Sequence, residues 1–124
     1  MNSTFTKIVR FLLGILLVIF GFNKFIELIP SPAMPENAAN FIKSLVDTGY
    51  ILPVVGAFEI FIGILLLAKR WVPFALILLA PISLNILLFH LFLDMPGIGG
   101  AILVTTLTGI MIYKNWSCYK PLFH

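Results

Sequence analysis

The sequence predicts an all-α membrane protein, a bundle of four transmembrane helices. Three observations carry that reading. Of 124 residues, 60% are hydrophobic and only 10% charged, and a soluble domain of this size needs far more polar surface. The mean hydropathy is +1.10. The apolar residues also fall into four runs, each close to the ~20 residues that cross ~30 Å of hydrocarbon.

The first span covers residues 8–29. It is uninterrupted from Phe11 to Phe22 and then admits Asn23, Lys24 and Glu27. Lys7 and Arg10 ahead of the uninterrupted apolar run, and Ser31-Pro32-Ala33 after the span, faintly mimic a signal peptide. The apolar stretch exceeds the roughly 7–15 residues of a signal core, so the segment is expected to stay as a span. The second span, 50–68, carries one charge, Glu59. The third, 71–93, contains Pro73, Pro81, Ser83, Asn85 and His90, and the fourth, 97–113, has no charge. Each should be helical, because lipid leaves every backbone N–H and C=O to be paired internally. A β-barrel would show alternation in shorter segments. Together the spans make residues 1–124 a single four-helix domain.

The connection between spans one and two is long. Pro30, Pro32 and Pro35 block a helix at its start. Ala38, Phe41, Ile42, Leu45 and Val46 then recur at helical spacing, which predicts a short amphipathic helix ended by Gly49. It would lie on the membrane surface or cap the bundle.

Orientation follows from the basic residues. Lys7, Arg10, Lys69, Arg70, Lys114 and Lys120 fall on one side, Lys24 and Lys43 toward the other, giving N-in and C-in. Trp71, Tyr113, Trp116 and Tyr119 would form the inner aromatic belt. The net charge of +3 does not point to nucleic acid, since its residues sit at span ends rather than in a patch. With Cys118 as the one cysteine, neither an internal disulfide nor a paired-cysteine metal or redox site can form.

The ionisable residues inside the spans carry the chemistry. Glu59 lies roughly 12 Å in from the outer end of its span. An intramembrane charge costs roughly 2.5–3.5 kcal/mol, so Glu59 must be protonated, paired with Lys24 or His90, or facing a wet cavity. Its plainer role is a pair that locks helices together. Lys24 alone could snorkel to the surface. Asp94 stands four residues beyond His90, where it can orient the ring. Asn85 could simply bond a neighbouring helix or a carbonyl freed by Pro81. Convergence of these groups from three helices in the outer half of the bundle argues for a site. No metal-ligand spacing accompanies them. Gly14 and Gly21, and Gly56 and Gly63, are each seven residues apart, stripes that let helix backbones approach closely.

The order of these features resembles the DoxX family of small bacterial membrane proteins. The matching stretches are Gly21-Phe22-Asn23-Lys24-Phe25, then Thr48-Gly49-Tyr50, then Gly56-Ala57-Phe58-Glu59-Ile60, then Pro81 through Asn85 to His90-Leu91-Phe92, and the tail Tyr119 to Phe123. The resemblance implies a four-helix bundle in a bacterial plasma membrane. It also implies a family site at Asn23, Lys24, Glu59, Asn85 and His90. The family takes its name from a subunit of a thiosulfate:quinone oxidoreductase.

The leading functional reading is a redox-associated subunit binding an isoprenoid quinone. His90 or Glu59 would accept protons, Lys24 would be an electrostatic partner, and Asn23 and Asn85 would bind the ligand. Electrons would come from a redox protein partner. The alternative is a non-enzymatic scaffold or assembly partner, docking through the Phe41/Ile42/Leu45 surface or forming a homo-oligomer. Transport of a small solute or lipid is less favoured, because the chain has no inverted repeats or paired broken helices.

Overall fold

The computed structural model describes residues 3–26 and 33–123. Those residues are all-α. Four long apolar helices form a bundle: α1 (Thr4–Asn23), α3 (Ile51–Ala68), α4 (Val72–Phe92) and α5 (Ile98–Lys114). A shorter helix, α2 (Glu36–Asp47), joins the first two. After α5 the chain folds back through α6 (Trp116–Tyr119) and a 3₁₀ turn, Lys120–Phe123.

Helix α1 starts four residues before the expected Ile8 because Ser3 caps it: its Oγ accepts the Thr6 backbone N–H at 3.1 Å. The helix ends at Asn23, short of the expected Ile29. There the ladder tightens, with Lys24 N–H bonded to Gly21 C=O and Phe25 N–H to Phe22 C=O. Residues 27–32, which hold Glu27 and the first two loop prolines, lie outside the described residues. Helix α2 follows Pro35, whose carbonyl accepts the Ala39 N–H at 3.0 Å. Thr48 closes α2 by donating to Leu45 C=O at 2.6 Å, and Gly49 then takes φ +82°, a value a side chain would strain. Between α3 and α4, Lys69 and Trp71 both adopt left-handed backbone, at φ 55° and 51°. The Arg70 N–H reaches back to Leu65 C=O at 2.9 Å, so three residues reverse the chain.

Helix α1 packs chiefly on α3, and α4 on α5; α1–α5 and α3–α4 contacts close the square. The tightest seam is glycine against glycine. A Cβ on Gly21 would stand 2.7 Å from the Gly56 carbonyl oxygen, and one on Gly56 would stand 2.9 Å from that of Gly21. Gly63 and Gly14 repeat the pairing two turns away, at 2.8 and 3.1 Å. Leu13, Leu17, Ile62, Leu66, Leu76, Leu79 and Met111 fill the core beside this seam. Across the bundle, Ser83 and Thr108 hydroxyls meet at 3.2 Å, and Thr108 also donates to Val104 C=O. The outer faces of all four long helices carry exposed Ile and Phe, such as Ile15, Phe58, Ile77 and Ile102. Paired backbones under such faces suit hydrocarbon rather than water.

The basic end of the bundle differs from the expectation in two places. Tyr119 is buried and donates its hydroxyl to Pro73 C=O at 2.8 Å, tying the tail to the first turn of α4 instead of joining an aromatic belt. Burial pushes its phenol up to about 12, with the neighbouring Cys118 acting in the same direction. Arg10 is not a flanking charge either. It is 9% exposed, donates to the Leu66 carbonyl near the end of α3, and lies over the Phe11 ring.

The glycine seam makes a clear prediction. Gly56→Val must push α1 and α3 apart and lower stability by about 1–3 kcal/mol. Gly109→Ala, with nothing within 4 Å of its Cβ, leaves the melting temperature in detergent unchanged or higher. Equal melting of the Gly56→Val and wild-type proteins contradicts the close contact.

Candidate functional site

The glycine contact decides where the polar residues meet. Lys24 lies one turn beyond Gly21 on α1, and Glu59 lies one turn beyond Gly56 on α3. Because the helices are antiparallel, these two positions lie on opposite sides of the glycine contact along the axis, and the long Lys24 side chain, leaning back toward the start of α1, spans the offset. Lys24 Nζ sits 2.6 Å from Glu59 Oε1. The Glu59 side chain is 1% exposed and that of Lys24 24%, so the carboxylate is withdrawn into the bundle and the lysine that meets it is only partly exposed. Burial without a partner would be prohibitive for either charge; paired, they lock α1 to α3.

A second polar pair stands at the end of α4. His90 Nδ1 lies 3.3 Å from Asp94 Oδ2 and 3.2 Å from the Asp94 backbone oxygen. A carbonyl oxygen can only accept, so Nδ1 carries a hydrogen and donates. In the neutral ring Nε2 is then left as an acceptor. Asp94 is buried, and Gly97 is packed on it: a Cβ there would come 2.7 Å from Asp94 Oδ2 and 3.4 Å from His90 Cε1. The Phe89 ring meets His90 edge-on at 5.0 Å and Phe41 of α2 at 5.7 Å.

Lys24, Glu59 and His90 border one cavity of ≈ 690 Å³, at the end of the bundle where α1 and α4 finish and α3 and α5 begin. Its walls are mainly apolar, with Leu17, Val55, Ile86 and Val104 among them. The polar exceptions are Lys24, Glu59, Asn85 and His90. Helix α2 contributes Phe41, Ile42 and Leu45 to the lining, with Phe41 still 44% exposed. Asn85 donates one amide hydrogen to the Pro81 carbonyl at 2.9 Å, rather than to the Ile77 carbonyl that Pro81 leaves without its N–H. Its second hydrogen and its oxygen stay unspent in that bond.

Of the five residues the sequence singled out, the structure brings Lys24, Glu59, Asn85 and His90 to the cavity. Asn23 does not line it and is engaged in an interaction of its own. One residue along a helix turns a side chain ~100° around the axis, so Asn23 and Lys24 cannot share a face. Among the described residues no three His, Cys, Asp or Glu side chains cluster to hold a metal ion. Gly97 and the Phe41–Phe89 contact were not singled out. Gly97 shows no signal in the sequence beyond being one glycine of several at the start of span four, and the ring contact depends on where α2 lies.

The fold and this cavity define a multi-pass membrane protein with a ligand-sized, largely apolar chamber bordered by Lys24, Glu59, Asn85 and His90. The family model described as DoxX matches residues 5–91, and the chain belongs to the DoxX family. The match spans all four polar cavity residues and Asn23, and stops before Asp94, α5 and the Tyr119–Phe123 tail. No curated protein and no solved structure matches the chain.

The hydrogen bond at His90 is open to test. Of the two histidines, His90 and His124, His90 is expected to show the Nδ1–H tautomer by ¹⁵N NMR in micelles, assigned by its loss in His90→Gln. Gly97→Ala, by displacing the Asp94 carboxylate, should shift that signal. An Nε2–H tautomer at His90 in the wild type contradicts the geometry.

Proposed function

We propose that this DoxX-family protein is a redox-associated membrane subunit that binds an isoprenoid quinone in its polar-lined cavity. The single observation that carries the reading is the meeting of four polar side chains, from three helices, in an otherwise apolar chamber of ≈ 690 Å³. That size falls within the range of small-molecule sites, which pair apolar walls with a few placed polar groups. Such a chamber fits an apolar ring carrying two hydrogen-bonding oxygens. A bound quinone would supply two-electron, two-proton redox chemistry, with electrons delivered by a redox protein partner.

The chain's own residues supply binding and proton handling. The free Nε2 of His90 accepts a hydrogen bond or a proton, and Asp94 holds the ring in place. Lys24 offers a cation to an oxygen at the cavity wall, and Glu59 keeps that ammonium in place within the bundle. Asn85 contributes its uncommitted amide hydrogen.

We further propose that the cavity end faces the outer side of a bacterial plasma membrane. Lys7, Lys69, Arg70, Lys114 and Lys120 gather at the opposite end, which the positive-inside rule assigns to the cytoplasm. A scaffold role through Phe41, Ile42 and Leu45 is the weaker reading, because those side chains line the cavity.

The test is lipid extraction and mass spectrometry on gently purified protein. Wild type is expected to carry about one isoprenoid quinone per chain, and Glu59→Gln and His90→Ala, produced at equal levels, to lose most of it. Absence of quinone from the wild type, or full retention by both variants, refutes the proposal.

A further inference from the structure

The end of the bundle opposite the cavity carries a second, much smaller pocket of ≈ 80 Å³. It is lined by Thr6, Lys7 and Arg10 from the first turns of α1, Lys69 and Val72 from the α3–α4 reversal, and Met111 and Asn115 from the end of α5. Three cations therefore converge from two parts of the chain, of which Lys69 already makes an interaction of its own. Among the described residues no Asp or Glu lines the pocket, and Glu36, Asp47, Glu59 and Asp94 all lie at the other end of the bundle or inside it.

Arg10 makes this arrangement more than a flanking charge. Its side chain is buried, and a buried guanidinium needs a counter-charge. The Leu66 carbonyl it binds offers only the partial charge of a helix C-terminus, about half an elementary charge for the whole end. Asn115 and Thr6 add neutral polar groups at the rim, Asn115 bonded to Met111 C=O and Thr6 to the Ser3 hydroxyl. Cations, amide and hydroxyl together, in a space too small for a ring system or an acyl chain, describe a seat for a compact oxyanion. Arginine suits it best, since its planar fork matches phosphate oxygens. The pocket also lies at the ends of the spanning helices, the depth of lipid headgroups.

We propose that Lys7, Arg10 and Lys69 hold one phosphate group in this pocket, joining α1, the α3–α4 reversal and the end of α5 through a shared anion. The phosphate belongs either to an anionic phospholipid, with its acyl chains along the helix exteriors, or to a free phosphate ion. Neither source depends on what occupies the larger cavity.

Titration in detergent followed by native mass spectrometry separates the possibilities, with phosphatidylglycerol and inorganic phosphate as the two probes. The wild type is expected to bind one phosphate-bearing species saturably. Lys7→Gln, an exposed position that should fold normally, weakens that binding by about fivefold, as one cation near a membrane surface predicts. Arg70→Gln, which removes an exposed cation outside the pocket, leaves it unchanged. Arg10→Gln should abolish binding if the protein still folds. Saturable binding of phosphatidylglycerol without inorganic phosphate supports the lipid source, and binding of inorganic phosphate alone supports the soluble one. No saturable binding of either, or equal weakening by Lys7→Gln and Arg70→Gln, overturns the proposal.

Discussion

Everything at the polar end of this bundle depends on how closely α1 and α3 approach. Two reciprocal glycine pairs let their backbones touch, at spacings where any side chain would collide with a carbonyl. In lipid there is no hydrophobic drive between helices, so such van der Waals contact is itself a source of association. Its consequence is chemical as well as structural. A fixed seam sets the register of the antiparallel pair, and that register puts the Lys24 ammonium on the Glu59 carboxylate. A charge that would otherwise be intolerable inside the membrane becomes a defined wall of a cavity.

The bundle is polarised along its axis. The described acids and the large chamber occupy one end, with Asp94 holding His90 there; most of the described cations, a small cationic pocket and the tail anchored by Tyr119 occupy the other. Between them lies a dry core of leucines and one hydroxyl contact, Ser83 with Thr108. The described residues thus provide no chain of ionisable side chains from one end to the other. The polar groups that line the chamber are confined to one end of the bundle, an arrangement that suits a binding site better than a proton path across the bilayer.

Much of this could be read from the residues alone, for physical reasons. Hydrocarbon thickness fixes span length, so four apolar runs gave four long helices. An intramembrane carboxylate must be protonated, paired or turned to a wet cavity, and of those the structure gives Glu59 the pair, with Lys24 rather than His90. The i, i+4 relation brought Asp94 to His90 without knowledge of the fold. Other features depended on information no local pattern holds. Ser3 capping moved the start of α1, and a tightened last turn ended it at Asn23 rather than Ile29. Neighbouring positions in a motif look equivalent in a sequence, yet Asn23 and Lys24 leave the helix in different directions. The apolar face of α2 could equally have met lipid, a partner or the bundle, and only the position of Phe89 shows where Phe41 lies. Arg10 and Tyr119 looked like interfacial residues because their buried acceptors, Leu66 C=O and Pro73 C=O, belong to distant helices.

The central claim is that the glycine seam buries a Lys24–Glu59 ion pair on which the site rests. A double-mutant cycle read by unfolding in detergent tests it most directly, using Lys24→Met, Glu59→Leu and the two combined. If the pair is as the structure has it, Lys24→Met alone is strongly destabilising, by about 3–5 kcal/mol, because it leaves a buried carboxylate without its partner. The combined variant should then recover most of that loss. Effects of the two substitutions that simply add, with no recovery in the double variant, would mean that the charges do not depend on each other and would contradict the account.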